Sequence, residues 1–316
     1  MRKIAYARAG MEALQEEFRA NANIVHMSTD IPAELREEFG EERVRATPIS
    51  ESAFVGAAIG LAGSGYRAIA DIRMATFGFV AMDQMVNQAA KITYMFGGQS
   101  TFPVLIRMSI GAGMSLAAQH SICPYSMYMN VPGLKIILPS TAYDIKGLLK
   151  TALRDNNPVI SFEHTLLGQV PGDVPDEHYT IPFGRADIKK EGTDVTVVAL
   201  SRMVHEALAV AEAMEKQGIS VEVIDPRTLV PLDKQTIRDS VAKTGRLVVV
   251  DEACRTCSAA SEIVSLVTED DKTFGRLKSP PKRVCGLDTP IPYSPPMERY
   301  VLPDREKIEF AIKQVL

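Results

Sequence analysis

Two side chains in the first half of the sequence stand where chemistry can be done. Glu51 follows Thr47-Pro48-Ile49-Ser50 and opens an otherwise apolar stretch that runs to Gly63. A carboxylate there meets the positive end of a helix dipole and, in an α/β sheet, faces the crevice outside the strand ends. Taken alone, a carboxylate so placed is usually just a helix cap. His120 comes after the small-residue run Gly111-Ala112-Gly113-Met114-Ser115-Leu116-Ala117-Ala118-Gln119, which lets backbone approach a ligand closely. An imidazole titrating near neutrality is suited to moving protons. A structural histidine satisfies the same pattern. A third point is Cys254-Arg255-Thr256-Cys257. With no His/Cys/Asp cluster at metal spacing, it reads first as two reduced thiols at a strand-to-helix turn, with redox or metal use second. Neither a Gly-x-Gly-x-x-Gly after a strand nor a Gly-x-x-x-x-Gly-Lys-Ser/Thr occurs.

The elements that must hold these residues follow from periodicity. Helical spacing over Ile4–Ala20 precedes a short apolar strand at Asn23–Met27. A small-residue helix over Glu51–Gly63, a strand at Ala68–Ile72, a helix over Phe79–Phe96 with Met82, Met85, Val86, Ala89 and Ala90 inward, and a strand at Pro103–Arg107 come next. A strand at Leu134–Leu138, a helix capped by Ser140 or Thr141 and running to Arg154, and a strand at Val159–Phe162 close the series. Such alternation predicts a parallel sheet covered by helices. Gly and Pro then interrupt every period between Leu166 and Thr193, after which alternation restarts at Asp194–Leu200, Met203–Gln217, Ser220–Ile224, Asp233–Lys243 and Arg246–Val250, with helices at Ala259–Val267 and Asp304–Val315. The expected organisation is α/β, with one domain over residues 1–166, a linker over 167–192 and a smaller α/β domain over 193–316.

Composition bounds the function classes. With 46% hydrophobic and 23% charged residues the chain is globular in profile, and 316 residues suffice for two cores. A net charge of −4 gives no nucleic-acid footprint. The longest apolar stretch, Phe54–Gly63, is half the ~20 residues a membrane span needs, and no secretion signal opens the chain. Four cysteines form no disulfide framework, which points to a reducing cytoplasm.

Several strings together resemble one family, the β subunits of the pyruvate, acetoin and branched-chain 2-oxo acid dehydrogenase decarboxylating components. They are Thr47-Pro48-Ile49-Ser50-Glu51, Asp83-Gln84 with Asn87-Gln88-Ala89-Ala90-Lys91, Ala118-Gln119-His120-Ser121, Pro132-Gly133-Leu134-Lys135, Arg154-Asp155-Asn156-Asn157-Pro158 and Pro290-Ile291-Pro292-Tyr293. They run in family order over nearly the whole chain. The resemblance implies a transketolase-like pyrimidine-binding domain followed by a transketolase C-terminal domain, in an assembly of two α and two β chains with thiamine diphosphate at each α/β interface. The α chain of that family carries the Gly-Asp-Gly…Asn motif for magnesium and diphosphate, a motif this sequence lacks. The implied division of labour leaves this chain half of an active site.

By the same resemblance, Glu51 is the glutamate that hydrogen-bonds the aminopyrimidine and favours its imino tautomer by holding or sharing a proton. Phe77 is the aromatic residue stacked on that ring. His120 is the histidine that serves acyl transfer to the lipoyl group of a partner acyltransferase core. Val104, Ala152, Asp155 and Asn157 match positions around a structural potassium ion in some members. The sequence departs from the family where Ser28-Thr29-Asp30 passes directly to Ile31-Pro32, without the usual Gly-Glu-Asp/Glu-Val string and long Gly/Tyr loop. It departs again at Arg107-Met108-Ser109-Ile110 and at Ile122-Cys123-Pro124-Tyr125-Ser126-Met127, near the expected substrate channel. Ala118 and Gln119 are closer to pyruvate or acetoin enzymes than to branched-chain ones. Two alternatives share the plan: half of a split transketolase-type ketol transferase, and a non-catalytic subunit that docks the acyltransferase core.

Overall fold

Strands and amphipathic helices alternate along residues 1–316 of the computed structural model. They sort into two units, residues 1–110 with 127–183 and residues 111–126 with 184–316. In chain order the first half contains β1 (Arg2–Ala5), α1 (Tyr6–Ala20), β2 (Ile24–Ser28), α2 (Ala33–Phe39), β3 (Val44–Ala46), α3 (Glu51–Gly63), β4 (Arg67–Met74), α4 (Ile92–Met95), β5 (Val104–Ile110), α5 (Tyr125–Met129), β6 (Lys135–Ile137), α6 (Ala142–Arg154), β7 (Val159–His164) and β8 (Pro171–Val174). The second half contains β9 (Asp187–Lys190), β10 (Val195–Ala199), α7 (Met203–Glu215), β11 (Val221–Asp225), β12 (Thr228–Val230), α8 (Lys234–Thr244), β13 (Leu247–Cys254), α9 (Ala259–Thr268), α10 (Asp271–Phe274), β14 (Lys282–Gly286), α11 (Pro295–Val301) and α12 (Arg305–Val315).

In the first unit β6, β7, β5, β4, β2 and β3 lie side by side, every pair parallel. Parallel strands are sheltered by their crossover helices, and β5 and β7 are accordingly buried at most positions even though Arg107, Ser109, Ser161 and Glu163 interrupt their apolar residues. α1 and α6 pack on this sheet and bury Leu14, Phe18, Ile145, Leu148 and Leu149 against Ile24, Ile69, Leu105, Ile137 and Val159. α6 starts at Thr141, whose hydroxyl accepts the Asp144 amide at 3.1 Å, a cap of about 1 kcal/mol. Lys146 and Lys150 are buried between the two helices, and Glu12 and Glu16 meet them at 3.3, 2.7 and 2.5 Å. Burial works to raise both carboxyls, yet hydrogen bonds from Arg2 and Lys146 to Glu12, and from Lys146 and Lys150 to Glu16, hold them below their ordinary range.

The second unit has its own sheet in the order β14-β13-β10-β11-β9, parallel except for β9 against β11. Val195, Val197, Val221, Val223, Val248 and Val250 make its centre, covered by α7 and α12. Asp233 caps α8 through the Thr236 amide at 3.1 Å, and Gly245 ends it at a φ of 76°. Asp304 caps α12 through the Lys307 amide at 2.8 Å.

Three expectations change. The helix expected over Phe79–Phe96 is broken into a 3-10 turn at Ala75–Ala81, a π turn at Gln84–Ala89 and the short α4. The Ala90 amide reaches back to the Met85 carbonyl at 3.1 Å, and the loop at Gly133 comes so close that a Cβ there would lie 1.9 Å from the Ala90 carbonyl oxygen. Gly133 stands at a φ of 102°, which a side chain would strain as well as crowd. Residues 167–192, expected as a linker from their Gly and Pro, contain β8, paired with β1, and β9, which extends the second sheet. Residues 111–126, expected inside the first domain, group with the second unit because its carboxylates hold their backbone. No helix is long and apolar enough to cross a membrane.

Candidate active site

Glu51 is the first residue of α3, and the Ala53 and Phe54 amides close that turn onto the Ser50 carbonyl at 3.1 Å each. Ser50 does not cap with its own side chain, so the first-turn charge falls to Glu51. Phe54 and Val55 of the same helix are buried and the helix packs on β4, which leaves Glu51 only 8% exposed. It makes no hydrogen bond or ion pair within the chain. Its oxygens reach solvent and stand open to a donor from a ligand at the helix N-terminus. Four residues earlier the Thr47 hydroxyl is buried and likewise unpartnered. A ring nitrogen or amine of a cofactor fits these two orphans, one an acceptor and one able to donate or accept.

Phe77 is half-buried on the 3-10 turn, and that turn packs against α3. The structure therefore sets Glu51 and Phe77 on adjoining elements of one unit. The neighbour Gly78 lets the turn sit down: a Cβ there would meet Met108 Sδ at 2.8 Å, Tyr128 Oη at 3.1 Å and Met85 Cε at 3.3 Å. Tyr128 is fully buried with its hydroxyl unpartnered, and burial raises its pKa above the ordinary range.

Below these residues a charged row crosses the sheet on a single face. Arg107 of β5 donates to Glu163 of β7 at 2.8 and 2.7 Å and to Asp71 of β4 at 3.1 Å, and fully buried His26 of β2 stands 3.8 Å from Asp71. The faces agree because Asp71 is in register with Arg107, while His26 and Glu163 are two residues removed from residues in register with them. Burial opposes the charge on Asp71 most strongly, but Arg107, His26 and the Arg73 amide together hold the carboxyl below its usual value. Burial opposes Arg107 too, and Glu163 with Asp71 raises it nonetheless. Sequence reasoning passed over this row, since each member reads as an isolated charge in an apolar strand.

His120 is half-buried in the second unit, on a loop without regular structure. Glu252 accepts the Ala112 amide at 2.6 Å, and Glu298 accepts the Gly113 amide at 2.8 Å and the Ser115 amide at 3.2 Å. Tyr125 donates to Asp251, a pair buried completely. Burial raises the Asp251 carboxyl, and its hydrogen bond from Tyr125 offsets only part of this. Ala112 itself packs on Ile291, Val301 and Leu302.

Val104, Ala152, Asp155 and Asn157 lie in the first unit, at the start of β5 and the end of α6. Asp155 accepts from the Asn157 amide and side chain at 2.8 Å each, its carboxylate takes the Lys135 ammonium, and its carbonyl takes Arg67 at 2.7 Å. Two fixed positive charges on Asp155 do not fit a further potassium ion there. No group of three or more His, Cys, Asp or Glu side chains is arranged for a metal. All four cysteines are free; Cys254 and Cys257 are exposed, and burial pushes Cys285 up to about 12.

Residues 2–169 match the transketolase pyrimidine-binding domain, and residues 184–308 match the transketolase C-terminal domain. The chain is 43% identical to the β subunit of acetoin:2,6-dichlorophenolindophenol oxidoreductase of Bacillus subtilis (strain 168), over 93% of this chain and 87% of the relative. It is 39% identical to the 2-oxoisovalerate dehydrogenase β subunit and 38% to the pyruvate dehydrogenase E1 component β subunit of the same organism, each over 100% of this chain and 99% of the relative. Among solved structures a split-gene transketolase, an inactive β4 tetramer, superposes with a TM-score of 0.83 at 23% identity, covering 99% of this chain and 98% of that one, a likeness of fold.

Proposed function

Because the chain belongs to the family of transketolase-like β subunits of the acetoin, pyruvate and branched-chain 2-oxo acid dehydrogenases, we propose that it supplies the proton-handling half of a thiamine-diphosphate site shared with an α subunit. The observation that carries the reading is Glu51, a carboxylate 8% exposed, unpartnered in its own chain, at the N-terminus of α3. Thiamine diphosphate supplies the electron sink for cleaving the bond beside the substrate carbonyl. Glu51 holds the aminopyrimidine by a hydrogen bond and keeps a proton available at its ring nitrogen. Phe77 bears on the ring face from the adjoining turn. His120 moves a proton during acyl transfer to a lipoyl group on an acyltransferase core. Magnesium and the diphosphate are held by the α subunit, since no Gly-Asp-Gly run exists here. The substrate is a pyruvate-like 2-oxo acid or acetoin, and the assembly is α2β2.

The test uses the assembled α/β enzyme with pyruvate, acetoin and a branched 2-oxo acid. Glu51→Gln keeps the shape but removes the shared proton, so substrate cleavage measured with an artificial electron acceptor falls by about 10²-fold or more. His120→Ala lowers lipoyl acylation more than cleavage. Wild-type rates in either variant overturn the role given to that residue, and failure of the wild-type complex to bind thiamine diphosphate in calorimetry overturns the whole reading.

A further inference from the structure

The loop that ends at His120 is neither helix nor strand, and four of its residues have left-handed backbones: Gly111 at a φ of 95°, Gly113 at 104°, Ser115 at 55° and Ala117 at 59°. Ser115 and Ala117 carry a Cβ, and such a conformation persists only when the surroundings over-determine it. The surroundings here are one side chain above all. Glu298 of α11 is 2% exposed and takes three donors of the loop. Oε1 accepts the Gly113 amide at 2.8 Å and the Ser115 amide at 3.2 Å, while Oε2 accepts the Ser115 amide at 3.2 Å and the Ser115 hydroxyl at 3.3 Å. The alternate amides of Gly113 and Ser115 converge on one side chain whose two oxygens both act as acceptors. α11 is itself fixed by Val301, which packs with Leu302 and Ile291 on Ala112 of the same loop.

We propose that Glu298 is a positioning residue for acyl transfer: its carboxylate sets the backbone of residues 113–115 and through it the place of His120, without touching the reacting atoms. This rests on the role assigned to His120 above. A carboxamide at 298 can accept the Gly113 amide but must turn its own N–H groups toward the Ser115 donors. The contact with the Ser115 amide becomes repulsive and the Ser115 hydroxyl must reverse to accept, while the side-chain volume is unchanged. Misplacement of a catalytic group by about 1 Å costs on the order of 10²-fold in rate.

The experiment measures three quantities on the α/β complex of Glu298→Gln: substrate cleavage with an artificial acceptor, lipoyl acylation across pH, and amide hydrogen exchange of the peptide spanning residues 111–119. We expect cleavage within about twofold of wild type, acylation about 100-fold lower with a displaced pH profile, and faster exchange in that peptide. Ser115→Ala, which removes a single 3.3 Å contact, gives the same selective pattern with a smaller loss and keeps the test available if Glu298→Gln does not assemble. Combined, the two changes are not additive. Equal losses in cleavage and acylation, or unchanged acylation with unchanged exchange, overturn the proposal. If His120→Ala leaves acylation intact, the role of His120 falls first, and the exchange measurement still decides whether Glu298 holds the loop.

Discussion

Arg107→Met is the sharpest probe of the first unit. The side chains of Arg107, Glu163 and Asp71 are 16%, 13% and 20% exposed, so water screens their mutual field only weakly. Methionine fills much of the arginine volume and removes two bonds to Glu163 at 2.8 and 2.7 Å and one to Asp71 at 3.1 Å. Two buried carboxylates are then left without their cation. Breaking a buried pair this way costs about 3–5 kcal/mol, or roughly 10²–10⁴ in the folding equilibrium. The pH dependence changes sign as well. In the native protein the depressed Asp71 carboxyl contributes stability that is present above its ordinary value of 3.8 and is lost as pH falls through the depressed value. Without Arg107 the Asp71 carboxyl loses its largest opposing influence, and desolvation pushes it upward. The folded state then takes up a proton there first, and stability grows on acidification from neutrality by up to about 1.4 kcal/mol per pH unit as that carboxyl titrates. The chain contains no tryptophan, so urea unfolding followed by far-UV circular dichroism at pH 7.5 and 5.5 is the assay. A loss under about 1 kcal/mol, with the native pH slope retained, would refute the assignment of this row as a coupled, weakly solvated unit.

Two further predictions concern the elements around it. Gly78→Ala places a methyl 2.8 Å from Met108 Sδ and 3.1 Å from Tyr128 Oη, an overpacking of about 1–3 kcal/mol that pushes the turn of Phe77 outward. Thiamine diphosphate binds more weakly in that variant by calorimetry, and an unchanged affinity together with an unchanged melting temperature would show that the turn has room. At the α1/α6 contact, Glu12 and Glu16 lie below their ordinary value of 4.5, so the stability they contribute is complete above that pH and is lost as pH falls through the depressed values. Lys146→Met flattens this acid limb of the unfolding curve, and an acid limb identical to wild type would place its origin elsewhere.

The architecture was legible where local chemistry and tertiary demand agree. α3 begins and ends at the residues the small, apolar run suggested, and Thr141 and Asp304 cap the helices that follow them. The helix expected over Phe79–Phe96 shows where they part. Its inward set was read correctly at Met85, Ala89 and Ala90, which are buried, but where Met108 and Tyr128 crowd Gly78 and the Gly133 loop meets the Ala90 carbonyl, 3-10 and π turns replace a regular helix. A periodicity count registers which residues face inward. It carries no information about how closely a distant loop approaches.

The same division explains the site. Glu51 was visible because a charge at the start of an apolar helix is a local anomaly, and the structure deepens the anomaly by burying most of the residue with no partner for its carboxylate within the chain. Glu298 was invisible for the opposite reason. In Pro295-Pro296-Met297-Glu298 it sits in a first helical turn, where an acidic side chain is ordinary and needs no explanation. Its burial follows from a loop 183 to 185 residues earlier in the chain, whose amides at Gly113 and Ser115 had no partner that local reading could name. A small-residue run was read as room for a ligand, and part of that room is taken by the chain's own carboxylate. Residues that touch a ligand leave marks in local sequence, because their chemistry conflicts with their neighbourhood. Residues that position them satisfy their own neighbourhood, and only the hydrogen-bond account of the folded backbone brings them out.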